Sequence, residues 1–404
     1  MVDVKFHKLA NGLQLIGEVN PANKSASIGF FVKTGSRDET ELESGVSHFL
    51  EHMMFKGTAK RNALEITYQL GNLGAQANAY TSEENTVYYA TVLTKYFPAM
   101  QELLSDMLRP ALDPEEFNVE KKVILEEIAL YQDRPTFYFF EKALGAYFNK
   151  HPAGNSVLGT TQSVGALTQP QMKNYFDRRY APSNIVLVAA GNFDWDGFVS
   201  DAEKYCGAWA GDSLARKTER RPPNPIRRDY SRKNLSQAHI LFVNEGASAQ
   251  DSERYPLSVL SSILGDSSGS KLYWDLIDSG LADSAGCDSD DRDGTGCFMA
   301  YASTEPRNID KVSEILRKVL SSPLSFDEGE LERAKTKLES RIALGGELPF
   351  NRLAAIGTEW LYTGEFKPLA KIIERVKEVN RVEIEQALKR FTLVEWAEFR
   401  MLPE

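Results

Sequence analysis

Apolar residues along the chain fall into short runs whose spacing switches between about two and about 3.6 residues, the mark of strands interleaved with helices. Near the front, residues 12–17 follow an Asn11-Gly12 turn signal and residues 25–33 alternate in part. Both predict strands, and residues 35–40 read as a loop after them. Helical spacing appears over 63–73 and over 97–108. Between these lie two strand-like runs, 74–82 and 86–92, around a polar turn at Glu83-Glu84-Asn85. Pro110 and Pro114 interrupt the chain, and Asp113 or Pro114 can open the next helix, over 115–132. Residues 137–144 and 169–180 are helical in pattern, with a loop at 151–159. Residues 184–191 form a buried strand and 196–209 a closing helix.

Residues 214–233 differ in kind. They hold Pro222, Pro223 and Pro225, six arginines and few apolar side chains, and are expected to be a solvated linker between two domains. Beyond them the pattern replays: a strand at 238–243, helices at 255–264 and 269–281, a strand at 296–302, and helices at 309–320 and 326–344. The chain then closes with a helix at 380–390 and a strand at 395–400, as the first half does. An internally duplicated α+β protein is expected, with domains at 1–213 and 234–404 joined by 214–233.

The formal net charge of -10 argues against a nucleic-acid partner, since binding phosphates needs a basic surface. The arginines of 214–233 lack the interleaved aromatics of such a site. No run approaches the roughly 18 consecutive apolar residues of a membrane span. Residues 1–6 show neither the apolar core of a signal peptide nor Arg/Ser-rich transit character, so a cytoplasmic location is expected, with a processed organellar or exported form as the alternative. Cys206, Cys287 and Cys297 are odd in number and contain no Cys-x-x-Cys pair. They read as small, mostly buried residues in a reducing compartment.

Candidate chemistry gathers in Ser47-His48-Phe49-Leu50-Glu51-His52-Met53-Met54-Phe55-Lys56-Gly57-Thr58, which holds two of the five histidines. At i and i+4 on a helix, His48 and His52 share a face one turn apart. Two neutral imidazoles so spaced suit a tetrahedral Zn²⁺, and Glu51 beside them can take a proton from a metal-bound water. Gly57 is a plausible stop. The bland alternative is a pair of partly exposed histidines on an ordinary amphipathic helix. His151, in a loop beside Pro152, reads as a surface residue, and His239 as a strand residue of core or edge.

The order His-x-x-Glu-His inverts the common zinc-protease helix. With the continuation Met53 to Thr58, it resembles the inverted-motif zinc metallopeptidases: pitrilysin, insulin-degrading enzyme and the mitochondrial processing peptidase. The resemblance covers essentially the whole chain. It implies two similar domains, each a mostly antiparallel β-sheet covered by helices, with metal chemistry in the first only. It also implies one Zn²⁺ per chain, held by His48, His52 and a downstream glutamate, with Glu51 as the catalytic base. Val123-Ile124-Leu125-Glu126-Glu127-Ile128 matches the motif of the third ligand with Glu127, and Glu126 is the fallback. Glu120, two turns earlier, falls on the accessory catalytic position. Asn78, Ala79 and Tyr80 match the edge strand that holds substrate backbone by strand addition, where main-chain hydrogen bonds give affinity.

The family's two-domain chains pair so that two chains complete a chamber, and the second domain supplies an arginine and a tyrosine that bind the scissile carbonyl oxygen. Here Ile277 and Asp283 stand at those positions. Isoleucine has no donor and a carboxylate repels a developing oxyanion. The expectation is an endopeptidase for oligopeptides or unfolded segments that works as a homodimer, or as a heterodimer with a homologous subunit bringing the Arg/Tyr pair. Its rivals are a structural subunit and a peptide-binding module that keeps zinc but cuts poorly.

Overall fold

The computed structural model describes residues 3–212 and 214–404, so the expected domain end at Ser213, like the first two residues, lies outside the described residues. Two sheets form. The first is built from β1 (Asp3–Lys8), β2 (Gln14–Val19), β3 (Ser25–Val32), β4 (Gln76–Thr81), β5 (Thr86–Leu93) and β6 (Ile185–Gly191). Its order is β1-β2-β6-β3-β5-β4, antiparallel except for the β2/β6 pair. The second is built from β7 (Arg227–Arg232), β8 (Ala238–Glu245), β9 (Ser284–Asp291), β10 (Gly296–Thr304) and β11 (Ala397–Pro403), in the order β7-β11-β8-β10-β9. There too one pair, β7/β11, is parallel. Setting β2, β6, β3, β5, β4 beside β7, β11, β8, β10, β9 reproduces order and strand sense, so the duplication read from the pattern is present in the topology.

The units differ from the expected domains. The first comprises residues through Leu130, Asn155–Arg216 and Gly345–Phe366. The second comprises Tyr131–Gly154, Lys217–Leu344 and Lys367–Glu404. Each therefore takes one helix from the other's stretch of sequence. Helix Pro135–Phe148 packs Phe139, Ala143, Tyr147 and Phe148 against Leu241, Val243, Phe399 and Met401 of the second sheet. Helix Pro349–Thr363 packs Leu353, Ile356 and Leu361 against Ile16, Phe31, Val87, Val186 and Val188 of the first. The physical reason is burial. Each sheet has an apolar face that its own stretch of chain leaves bare, and these helices are apolar enough to cover it. Gly357 allows the close fit, because a Cβ there would lie 2.4 Å from the Phe31 ring.

The expected linker is also more structured than its composition suggests. Its last residues form β7, and the Arg216 side chain, 4% exposed rather than solvated, reaches Asp38 with Nη2 2.6 Å from Oδ2. The three cysteines are free, with Cys206 and Cys297 buried.

Candidate metal centre

The short helix Val46–Met53 begins at Gly45, whose φ of +92° is a left-handed conformation that side chains resist. A Cβ at Gly45 would also lie 2.7 Å from the Leu158 carbonyl oxygen. The first turn is satisfied from upstream: Glu39 accepts hydrogen bonds from the N–H groups of Gly45 and Ser47, both at 2.7 Å. Burial pushes the Glu39 carboxyl up to about 7 despite these bonds. Ser47 is tied further through its hydroxyl to Tyr175 at 2.7 Å. Val46, Phe49, Leu50 and Met53 face the core. That fixes the roll of the helix and turns His48 and His52 to its other side.

Phe49 stacks on Phe117 with ring centroids 4.6 Å apart, which docks helix Pro114–Gln132 against the histidine helix. Phe117, Glu120, Ile124 and Ile128 form the buried face of that second helix. Glu120 and Glu127 therefore arrive beside the histidines. Glu126 is exposed, and Glu127 rather than Glu126 brings a carboxylate oxygen to the histidines. His48, His52 and Glu127 place one donor atom each within 4.8 Å of one another. Glu127 Oε2 lies 3.9 Å from His48 Nε2 and 3.5 Å from His52 Nε2. Two imidazole nitrogens and a carboxylate oxygen are a donor set that suits zinc.

The surroundings prepare these groups. Burial, and then the neighbouring His52, lower the His48 pKa to about 3, so its ring stays neutral and able to ligate. His52 Nδ1 lies 2.8 Å from Glu120 Oε1, which fixes the tautomer that leaves Nε2 free toward Glu127. Burial opposes protonation of His52, but the Glu120 hydrogen bond and the charges of Glu127, Glu51 and Glu120 outweigh it and raise its pKa. Lys56 Nζ, 2.5 Å from the other Glu120 oxygen, completes a chain from lysine to carboxylate to imidazole. Burial alone would raise the Glu120 pKa; the His52 and Lys56 hydrogen bonds bring it below the ordinary carboxylate value. Replacing Glu120 by Gln is expected to weaken zinc binding by about 10- to 100-fold. Titration of the zinc-loaded chain with a chromogenic chelator measures this, and an unchanged affinity would exclude the orienting role.

Glu51, on the same helix, accepts a hydrogen bond from Thr81 Oγ1 at 2.5 Å. Burial raises its pKa, against the pull of Thr81 and His52 and with the help of the Glu127 charge. Thr81 ends β4, and β4 is the outermost strand of its sheet. Asn78, Ala79 and Tyr80 lie on that edge strand. The Ala79 N–H is held by Asn78 Oδ1 at 2.9 Å rather than by another strand. Tyr80 points to the opposite face from Thr81 and packs with the cluster under helix Pro349–Thr363.

Sequence reasoning gives Thr81, Lys56 and Glu39 no role at the centre. Lys56 lies four residues after His52, just past the helix end at Met53, and Thr81 shares strand parity with Ala79. Glu39 sits in a loop and has no local signal. The remaining candidates belong to the second unit. In the second unit, His151 Nε2 contacts the Glu219 carbonyl oxygen at 2.8 Å and His239 Nδ1 the Tyr301 hydroxyl at 2.8 Å. Ile277 packs against the second unit's core, and Asp283 accepts from Gln237 Nε2 at 2.6 Å. Among the described residues no helix is long and apolar enough to cross a membrane.

Two family models match the chain. Insulinase (peptidase family M16) matches residues 15–161, and the peptidase M16 inactive domain matches 166–338. The chain is 32% identical over 382 residues to the Bacillus subtilis protein named uncharacterized zinc protease YmxG, covering 93% of each. It is 33% identical to uncharacterized zinc protease Rv2782c of Mycobacterium tuberculosis, covering 93% of this chain and 88% of the relative. The fold is shared with a protease from Helicobacter pylori at a TM-score of 0.90 and 19% identity over the full length of both chains. It is shared too with a chain of Complex III2 from Candida albicans, at a TM-score of 0.87 and 20% identity over 99% of this chain and 96% of the other.

Proposed function

The chain belongs to the insulinase family of peptidases, M16, and from that premise we propose that it is a zinc-dependent endopeptidase acting on oligopeptides or unfolded segments. The observation that carries this reading is the meeting of His48, His52 and Glu127 beside a half-buried Glu51 held by Thr81. When bound, zinc would polarise the scissile carbonyl and lower the pKa of the attacking water. Glu51 takes the proton of that water and returns it to the leaving amine. Glu120 keeps His52 in the ligating tautomer. The open edge of β4 at Asn78, Ala79 and Tyr80 holds the peptide extended, through main-chain hydrogen bonds that are largely indifferent to side-chain identity.

One triad among the described residues supports a reading of one zinc per chain. Ile277 and Asp283 favour a second reading, in which the chain binds peptides and cuts poorly unless a homologous subunit brings an arginine and a tyrosine into a chamber of two chains. Loss of one oxyanion donor costs on the order of 10²–10³ in rate. Hydrolysis of a quenched fluorescent, unstructured peptide by the purified chain separates the two. Turnover that a chelator abolishes and zinc restores is the expected result. A preparation holding one zinc per chain that does not cut the peptide would overturn the self-sufficient peptidase and favour the two-subunit chamber.

A further inference from the structure

The face of β4 turned away from the histidines borders a cavity of about 600 Å³. Its walls include Asn78 on β4, Tyr89 and Leu93 on β5, and Leu348, Pro349 and Phe350 at the start of the returning helix. The rings of Tyr89 and Phe350 lie 4.3 Å apart and form an aromatic wall. Leu93 and Leu348 are 53% and 58% exposed, so two large apolar side chains are left in water at this place. We infer that the cavity is a specificity subsite that receives a large apolar side chain, aromatic or branched aliphatic, from a peptide strand added to β4.

Strand geometry carries the argument, which rests on the reading that β4 takes the substrate. Side chains of an added strand point alternately to the two faces of the sheet. Those sharing the face of Ala79 and Thr81 turn toward Glu51. Their neighbours turn to the face of Gln76 and Asn78, where the cavity opens. Gln76 and Asn78 precede Thr81 by five and three residues, or about 10–17 Å at roughly 3.3 Å per residue. The side chain taken up therefore belongs to a residue about three to five positions from the bond that is cut. Asn78 links the two events. Its amide oxygen holds the Ala79 N–H and the residue also lines the cavity. A strand that takes over that N–H frees the amide at the cavity mouth. The lining offers no charge to an occupant and two exposed leucines to cover, so an apolar side chain fits where a charged one does not.

The test uses the zinc-loaded full chain carrying Glu51→Gln and a set of fluorescein-labelled polar peptides in which one Phe or Leu is moved along the sequence. Binding is read by fluorescence anisotropy, and cleavage of the same peptides by the unmodified chain locates the cut bond. One position, three to five residues from that bond, is expected to bind about 10- to 100-fold tighter. Phe350→Ala is expected to reduce that preference at least several-fold. Leu93→Glu, at an exposed position that folding tolerates, is expected to reverse it in favour of Lys. A flat positional profile overturns the subsite, as does a preference that neither variant alters. If Leu93→Glu instead converts a dimer to a monomer in sedimentation with the preference intact, the cavity is a contact between copies and the subsite falls. Cleavage with a flat profile removes the subsite and leaves the peptidase. A positional binding preference without cleavage does the reverse.

Discussion

Replacing Glu51 by Gln is expected to lower kcat by about 10²–10⁴-fold while the chain keeps its zinc. The substitution preserves size and an oxygen that can accept the Thr81 hydrogen bond at 2.5 Å, so the helix and its neighbours have no reason to move. It removes the one property the proposed role requires at this position, the capacity to take a proton and give it back. His48, His52 and Glu127 are untouched, so metal content measured by elemental analysis should match the parent chain. Residual turnover within tenfold of the parent would mean that another group acts as the base. Loss of zinc in the variant would place Glu51 among the ligands.

The second large effect is on stability. Arg352 and Glu18 form a buried two-pronged ion pair, Nε to Oε1 at 2.8 Å and Nη2 to Oε2 at 2.5 Å, with both residues under 8% exposed. The pair fastens helix Pro349–Thr363 to β2. Arg352→Met leaves the Glu18 carboxylate buried without its partner, which is expected to destabilise the first unit by about 3–5 kcal/mol. The double variant Glu18→Leu/Arg352→Met removes both charges and should regain most of that loss, since replacing a buried pair by apolar groups is close to neutral. Denaturant unfolding followed by tryptophan fluorescence reads both, helped by Trp360 on the same helix, whose Nε1 bonds Gln14 at 2.6 Å. A single variant as stable as the parent would show that the apolar contacts of Leu353, Ile356 and Leu361 alone hold the helix.

The histidine helix was legible in the sequence because its signal is local. Two imidazoles at i and i+4 need only helical geometry to converge, and the structure places them with ring centroids 4.7 Å apart. The glutamates were harder. Helix Pro114–Gln132 carries five of them, and spacing alone does not rank them. The family motif singled out Glu120 and Glu127, and burial shows why: Glu120 lies on the face that Phe117 and Ile124 press inward, while Glu126 faces solvent. The exchange of helices between units was not legible. Periodicity reports that 137–144 is apolar enough to be buried but not which sheet buries it. The helix at 349–363 follows Gly345-Gly346 and goes unread in the pattern. Strand β7, Arg-Arg-Asp-Tyr-Ser-Arg, is hidden by its charges, which suit an edge strand but mimic a linker.

The exchange of helices sets a clock on synthesis. The first unit needs Gly345–Phe366, and the 128 residues from Lys217 to Leu344 must be translated before that segment begins to emerge. At about 5–20 residues per second that delay is roughly 6–26 s. Throughout it the nascent chain carries both histidines and both glutamates of the candidate centre, while the sheet face formed by Ile16, Phe31, Val87 and Val188 has no helix to cover it. A chain that stops before Gly345 therefore lacks the helix that buries that face.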